Sequence, residues 1–334
     1  LGHFAPLIPS AKRKVAPVVK RALGLLDPGR RSIEDSLSVL LYHEVSDQPG
    51  PFMDAPSLNV PPTLFAKQMD FISDNFNVID PDQLMEGDYE RPAALITFDD
   101  GMLGYFSNAV PIMTDRQIPS INFLNIDTIE GNPSWAGLVT YLADVDVDFQ
   151  RKIGHDEDGP PLKSRWSVQE SSGNISHQWE MSRWLGGFES SPEPLQREEI
   201  SRLFRIAVLC FLGTTWPTIT ARLRSARKNS RNSTLRNQSL LNHYANARPM
   251  FAYPHGRFRP IQNDLLGYLG AEAIFYSSEG INRRVSDRFY NRLSVDSHMT
   301  CVEDLVGQIR WVEFRRSMNW DYRGDLGGCC VNGP

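Results

Sequence analysis

Two adjacent carboxylates, Asp99 and Asp100, stand at the end of an apolar run and are followed by Gly101. Successive side chains of an extended strand point to opposite faces, so these two carboxylates face different directions. One of them can bind a metal ion while its neighbour takes a proton from water, and the glycine allows a sharp turn after the pair. The alternative interpretation is a plain Asp-Asp-Gly turn with solvated carboxylates.

A second polar turn follows another apolar run and reads Phe-Ala-Tyr-Pro-His-Gly over residues 251–256. A backbone N–H presented by a Pro-His-Gly turn can stabilise an oxyanion. The alternative here is an ordinary turn with a solvent-facing His255.

Predicted strands and helices alternate around these two turns. Apolar runs typical of buried or short strands occur at residues 37–42, 77–79, 93–98, 121–124, 250–253, 273–276 and 293–295. Helical patterns occur at residues 61–75, 81–85 and 105–114. This alternation predicts an α/β fold with a largely parallel sheet. In such folds the polar residues at the C-terminal ends of strands are the expected site residues.

Composition excludes several functional classes. The chain has 334 residues, a net charge of −5 and 41% hydrophobic residues, which is an ordinary globular composition. Broad binding to nucleic acid is not expected, because it needs clustered Lys and Arg. The longest apolar runs, such as residues 207–213, fall short of the roughly 20 residues that a bilayer span requires.

Two further features concern the surroundings of the chain. The four cysteines lack metal-ligand spacing and make a poor disulfide framework, so a reduced, cytoplasmic compartment is expected. Residues 11–26, within an N-terminal extension of residues 1–35, have the pattern of a basic amphipathic helix. Such a helix either packs on its own domain or touches an anionic membrane surface.

In this order, the segments resemble the polysaccharide deacetylase (NodB-homology) family, carbohydrate esterase family four. The matching segments are LLYHEV at 40–45, FAKQM at 65–69, ITFDDG at 96–101, PSINF at 119–123 and FAYPHG at 251–256. The resemblance implies a distorted (β/α) barrel of the polysaccharide deacetylase type with a helical or loop insertion. The implied parts are residues 36–126 and 206–300 for the barrel, 127–205 for the insertion, and 301–334 for a C-terminal helix and tail.

The resemblance also implies metal-dependent removal of an acetyl group from an N-acetylated sugar or polysaccharide, with zinc or a similar divalent cation as cofactor. By this resemblance Asp99 is the general base and Asp100 a metal ligand. The backbone N–H of His255 helps to hold the oxyanion, and His298 stands where the family places a late general acid. Contacts with the substrate are assigned to four further residues: His43, Tyr253, Pro254 and Gly256.

The sequence departs from the family at the second family motif, a pair of histidines four residues apart that completes the metal site. No His-x-x-x-His occurs in the chain, and the expected segment reads Gly-Thr-Thr-Trp-Pro-Thr-Ile-Thr at residues 213–220. Codons for these residues, read one base earlier, permit Gly-Asn-His-Leu-Ala-Asn-His-Tyr, with histidines at positions 215 and 219. We interpret residues 213–231 as frame-shifted, the alternative being a genuine basic surface segment.

Two functional hypotheses of different class follow. One is a metal-dependent sugar deacetylase, impaired here by the loss of the histidine pair. The other is a catalytically inactive carbohydrate-binding or structural relative.

Many members of the family that the chain resembles carry, at the position of Ala252, an arginine that orients the catalytic acid. Asp99 is therefore expected to be less constrained here than in the family.

Overall fold

The computed structural model of the chain describes residues 35–50, 53, 58–124, 208–212, 246–253, 263, 266–268, 270–277, 280–282 and 288–317. For residues 208–212 and 313–317 it describes the backbone alone. The predicted helix at residues 11–26 and the predicted insertion at 127–205 lie outside these ranges. None of the helices within these ranges combines the length and the hydropathy of a membrane span.

A single curled sheet of parallel strands forms the centre of the fold. Its strands are β1 (Leu37–Tyr42), β4 (Asn77–Val78), β5 (Ala93–Asp99), β6 (Ser120–Leu124), β7 (Val208–Leu212), β8 (Ala247–Ala252), β9 (Ala273–Tyr276) and β10 (Phe289–Ser294). Strand β1 pairs with both β5 and β10, so seven of the described strands make a ring in the order β1, β5, β6, β7, β8, β9, β10. The short β4 pairs with the beginning of β5. The predicted distorted (β/α) barrel is confirmed.

Helices connect and cover these strands. They are α1 (Pro62–Asn75), α2 (Pro81–Glu86), a π-helical turn (Tyr105–Ala109) that continues into α3 (Val110–Thr114), and α4 (Val302–Ser317). Helix α2 begins with a capping box, in which the Asp80 carboxylate accepts the Gln83 N–H and the Gln83 side chain accepts the Asp80 N–H. Two short strands, β2 (Glu44–Val45) and β3 (Asn59–Val60), pair with each other outside the ring.

The two faces of each strand serve two different cores. Along β5, Ala93 and Leu95 belong to an inner cluster that collects side chains from β1, β5, β6, β8, β9 and β10. Ile96 and Phe98 belong to an outer cluster that also contains side chains of α1 and α3. Because side chains alternate along a strand, Asp99 lies on the same face as Leu95 and points into the barrel interior. The fold therefore presents Asp99 at the C-terminal mouth of the barrel.

Candidate active site

The acid pair lies at the point where β5 leaves the barrel. Asp99 is the last residue of β5 and is 7% exposed. Asp100 and Gly101 both have positive φ angles, of 71° and 68°, so the chain reverses sharply after the strand. The Asp100 N–H donates a hydrogen bond to the Phe123 carbonyl at the end of β6, at 2.9 Å. The turn predicted from the sequence is present, and Asp99 lies inside the barrel mouth rather than in solvent.

A buried arginine fixes the orientation of Asp99. Arg292 of β10 is fully buried, and its Nη1 and Nη2 atoms donate to Asp99 Oδ1 at 2.6 Å and to Oδ2 at 2.9 Å. The same guanidinium donates to Ser277 Oγ at 3.1 Å and lies 5.3 Å from the centroid of the Phe123 ring. Paired, bidentate hydrogen bonds of this kind hold a carboxylate in one plane.

This pair corrects one expectation from the sequence. Ala252 belongs to the inner cluster. Its small side chain does not leave Asp99 less constrained, because Arg292 holds the carboxylate. The arginine comes instead from β10, on the other side of β1 in the ring. An ionised carboxylate offers about four lone-pair positions, of which Arg292 uses two. The oxygens of Asp99 therefore keep the capacity to accept a hydrogen bond from a bound molecule.

His43 completes the polar group at the barrel mouth. It follows β1 directly and shares the inward-facing side of that strand with Val39. Burial lowers its pKa and the Arg292 charge lowers it further, whereas Asp99 opposes both effects. The His43 Nδ1 atom is buried and has no hydrogen-bond partner. The His43 imidazole therefore lies in the electrostatic field of the Asp99–Arg292 pair, and the substrate contact predicted for it remains a prediction.

The remaining predicted site residues divide into three groups. Pro254, His255 and Gly256 lie outside the described residues. Tyr253 is buried in the outer cluster, where its hydroxyl donates to Asn263 Oδ1 at 2.9 Å and its ring stacks on Tyr276. Its side chain is thus engaged in packing, and the substrate contact predicted for this residue remains a prediction for its backbone.

His298 is exposed in the turn after β10, and its backbone N–H donates to Asp296 Oδ1 at 2.9 Å. The described residues contain two histidines, His43 and His298, and His43 is the one whose electrostatic surroundings include Asp99. The role of general acid that the resemblance implies for His298 remains a prediction.

Sequence reasoning missed Arg292 and Ser277. The signal for Arg292 is its alternation with Tyr290, an inner-cluster residue two positions earlier on the same strand. An arginine at an inward position of a buried strand needs an acidic partner. Asp99 was already a candidate for that partner.

The residues present do not complete a metal site in the described part of the chain. No group of three or more His, Cys, Asp or Glu side chains is arranged there to hold a cation. Asp100 supplies one carboxylate beside the mouth, whereas a hydrolytic zinc site uses three protein ligands. Residues 213–220, where the family's histidine pair is expected, lie outside the described ranges.

The comparison with known proteins identifies the fold of the chain. No protein-family model and no curated protein matches the chain. The Streptococcus pyogenes deacetylase PplD in complex with acetate is similar in structure, with a TM-score of 0.54 and 15% identity over 83% of this chain and 99% of that chain. IcaB from Ammonifex degensii has a TM-score of 0.54 and 19% identity over 82% of this chain and 97% of that chain.

A third solved structure, the polysaccharide deacetylase BC0361 from Bacillus cereus, has a TM-score of 0.50 and 16% identity over 82% of this chain and 69% of that chain. All three identities are low, so the similarity is one of fold. The chain has the NodB-type polysaccharide deacetylase fold.

Proposed function

We propose that this barrel carries hydrolytic deacetylation of an N-acetylated sugar or polysaccharide, and that the chain as written is impaired in it. The observation that supports the proposal is the buried Asp99–Arg292 pair at the C-terminal mouth of a barrel with this fold. Solved proteins that share the fold are described as deacetylases or polysaccharide deacetylases. N-acetylated carbohydrate is accordingly the proposed substrate class, and nucleic acid is not a proposed partner.

The chemistry assigned to the chain's own residues is proton transfer at Asp99. A water molecule attacks the acetyl carbon, Asp99 takes its proton, the carbon–nitrogen bond breaks, and the amine leaves with a proton. Arg292 holds the carboxylate in the orientation that this step requires. Acetate and a free amine are the products. His298 is the residue that the resemblance assigns to returning the proton.

A divalent cation is the proposed cofactor of the intact site, in which the histidine pair is present. Asp100 is its proposed ligand, and we derive no step through the ion because the ligand set is incomplete. The position of β7 supports the frame-shift interpretation. This strand lies between β6 and β8 and ends at Leu212, so residues 208–212 fit the barrel. Because β5, β6 and β7 are parallel, Leu212 lies at the same mouth as Asp99.

The alternative function is that of a catalytically inactive carbohydrate-binding or structural relative. The complete absence of His-x-x-x-His from the sequence favours it. Under this alternative, residues 213–231 are a genuine basic segment, and the barrel mouth binds sugar without hydrolysis. A cytoplasmic location is proposed with either function, on the pattern of the cysteines. Cys301, a cysteine within the described residues, is free.

One experiment separates these functions. The chain as written is compared with a restored chain in which residues 213–231 carry the alternative reading, including Thr215→His and Ile219→His. Zinc binding is measured by calorimetry, and acetate release is measured with an N-acetylglucosamine oligomer. We expect the restored chain to bind zinc and release acetate, and the written chain to do neither.

The matched control is the same restored chain with Thr215→Ala and Ile219→Ala. If the restored chain binds no zinc, the proposed metal site is wrong. If the written chain already binds zinc tightly, the frame-shift interpretation is wrong. Sugar binding by both chains without acetate release favours the inactive alternative.

A further inference from the structure

Gly104, at the beginning of the π-helical turn, lies directly against strand β2. A Cβ atom placed on Gly104 would overlap Glu44 Oε1 and the Val45 carbonyl oxygen. The Glu44 carboxylate accepts the backbone N–H groups of Gly104 and Val45. The position therefore requires a residue without a side chain, because the backbone approaches a carboxylate closely.

A second hydrogen bond joins the same two elements in the same direction, from the helical turn to β2. Asn108, within the π-helical turn, donates from Nδ2 to the Val45 carbonyl at 2.8 Å. Strand β2 is itself held by β3, since the Glu44 N–H donates to the Leu58 carbonyl at 3.1 Å. Strand β2 thus holds the beginning of the helical turn through two acceptors, the Glu44 carboxylate and the Val45 carbonyl oxygen.

These two hydrogen bonds fix the far end of the loop that follows the acid pair. The near end is fixed where the Asp100 N–H meets the Phe123 carbonyl, and the far end is Gly104. Between these ends Asp100 has a φ of 71°, a conformation that is uncommon for a residue other than glycine and persists where its surroundings enforce it. Only three residues separate Asp100 from Gly104, so a shift at Gly104 moves Asp100 as well.

We infer that Glu44 is a positioning residue, which holds the Asp100 loop in its reactive conformation through the Gly104 backbone. The inference rests on the proposed function for the importance of Asp100, and on the geometry alone for the restraint. Glu44 is 7% exposed, and burial raises its pKa to about 7 against the opposing effect of the two N–H donors. A buried carboxylate whose hydrogen bonds go to backbone amides is typical of a group that orders a loop.

The test uses hydrogen exchange of the chain as written, so that it requires neither metal nor activity. Glu44→Ala should raise amide exchange in residues 100–108 by about tenfold or more, while protection in β9 and α1 stays unchanged. Glu44→Gln keeps a carbonyl acceptor and should restore most of the protection. Gly104→Ala should reproduce the effect of Glu44→Ala, because the new Cβ displaces the carboxylate.

The matched control is Asp70→Ala, which removes a surface carboxylate that pairs with Arg116 and should leave the loop unchanged. Equal loss of protection throughout the barrel in Glu44→Ala, with no rescue by Glu44→Gln, would show a general structural role and overturn the inference. Unchanged exchange in residues 100–108 would overturn it as well. In the restored chain, Glu44→Ala should lower kcat with little change in KM; an inactive restored chain would contradict the proposed function and leave the exchange result to decide this inference.

Discussion

Arg292 and Asp99 lie 193 positions apart in the chain, yet they form a bidentate ion pair inside the barrel. Arg292→Met leaves the Asp99 carboxylate buried without its partner, so we expect a loss of about 3–5 kcal/mol in the free energy of unfolding. The measurement is urea denaturation at pH 7. Combining Arg292→Met with Asp99→Leu should recover most of this loss, since the uncompensated charge is gone.

The control for that prediction is the surface pair of Arg248 and Asp82, which has the same 2.6 Å contact but side chains that are 29% and 58% exposed. Arg248→Met should cost less than about 1 kcal/mol. If Arg292→Met costs no more than this control, the buried pair does not have the structural importance assigned to it.

His43 should be a neutral imidazole at pH values where an ordinary histidine begins to charge. Its folded-state pKa lies below the usual 6.5 because of burial and the Arg292 charge, with Asp99 opposing. The neutral, buried His43 contributes stability that is present above about pH 6.5 and is lost as the pH falls through the folded-state pKa. NMR titration of the imidazole should show a further decrease in Asp99→Asn, because the opposing charge is removed. An unchanged or increased pKa in that variant would contradict the proximity of the two groups.

Glu44 gives a pH dependence of the opposite sign. Its pKa is raised from 4.5 to about 7 by burial, so the folded state holds a proton that the unfolded state has already released. Its contribution to stability is complete below pH 4.5 and decreases as the pH rises to 7, by at most about 1.4 kcal/mol per pH unit. Denaturation at several pH values should show that Glu44→Gln removes this slope. The same slope in wild type and variant would refute the shifted pKa.

The two adjacent carboxylates should differ in function in the restored chain. Asp99→Asn should abolish acetate release and keep most of the zinc affinity, because the lost carboxylate acts on the proton. Asp100→Asn should weaken zinc binding itself, because the lost carboxylate acts on the cation. Calorimetry and an acetate assay on both variants measure this difference. Equal loss of zinc affinity in the two variants would contradict the division of roles.

Much of the barrel could be predicted from the sequence because buried parallel strands are continuous apolar runs. The predicted bounds of β1 and β9 agree with the observed ones, and the end of β5 was placed one residue early. Strand β7 is not among the predicted strands, although it lies within the apolar run at residues 207–213. It is short, and the residues after it have no helical pattern to complete a strand–helix unit.

The site was less predictable, for a physical reason that Arg292 illustrates. Only the last residues of β10 were predicted, since Asn291 and Arg292 interrupt the apolar pattern and indicate an exposed segment. Arg292 is buried because Asp99 neutralises it, and that pairing depends on the closure of the ring. Glu44 was missed similarly, because its partner is a backbone amide that carries no sequence signal.

The closing of the ring has a consequence for the order of events during synthesis. Asp99 leaves the ribosome long before Arg292, and β10 must insert between β9 and β1 before the two can meet. Domains fold progressively from the N-terminus during translation, and contacts of such long sequence separation form slowly. Until β10 is in place, the acid has no counter-ion and the barrel has an open seam beside β1. A nascent or truncated chain that ends before β10 therefore holds every residue of the acid turn but not the arginine that aligns it.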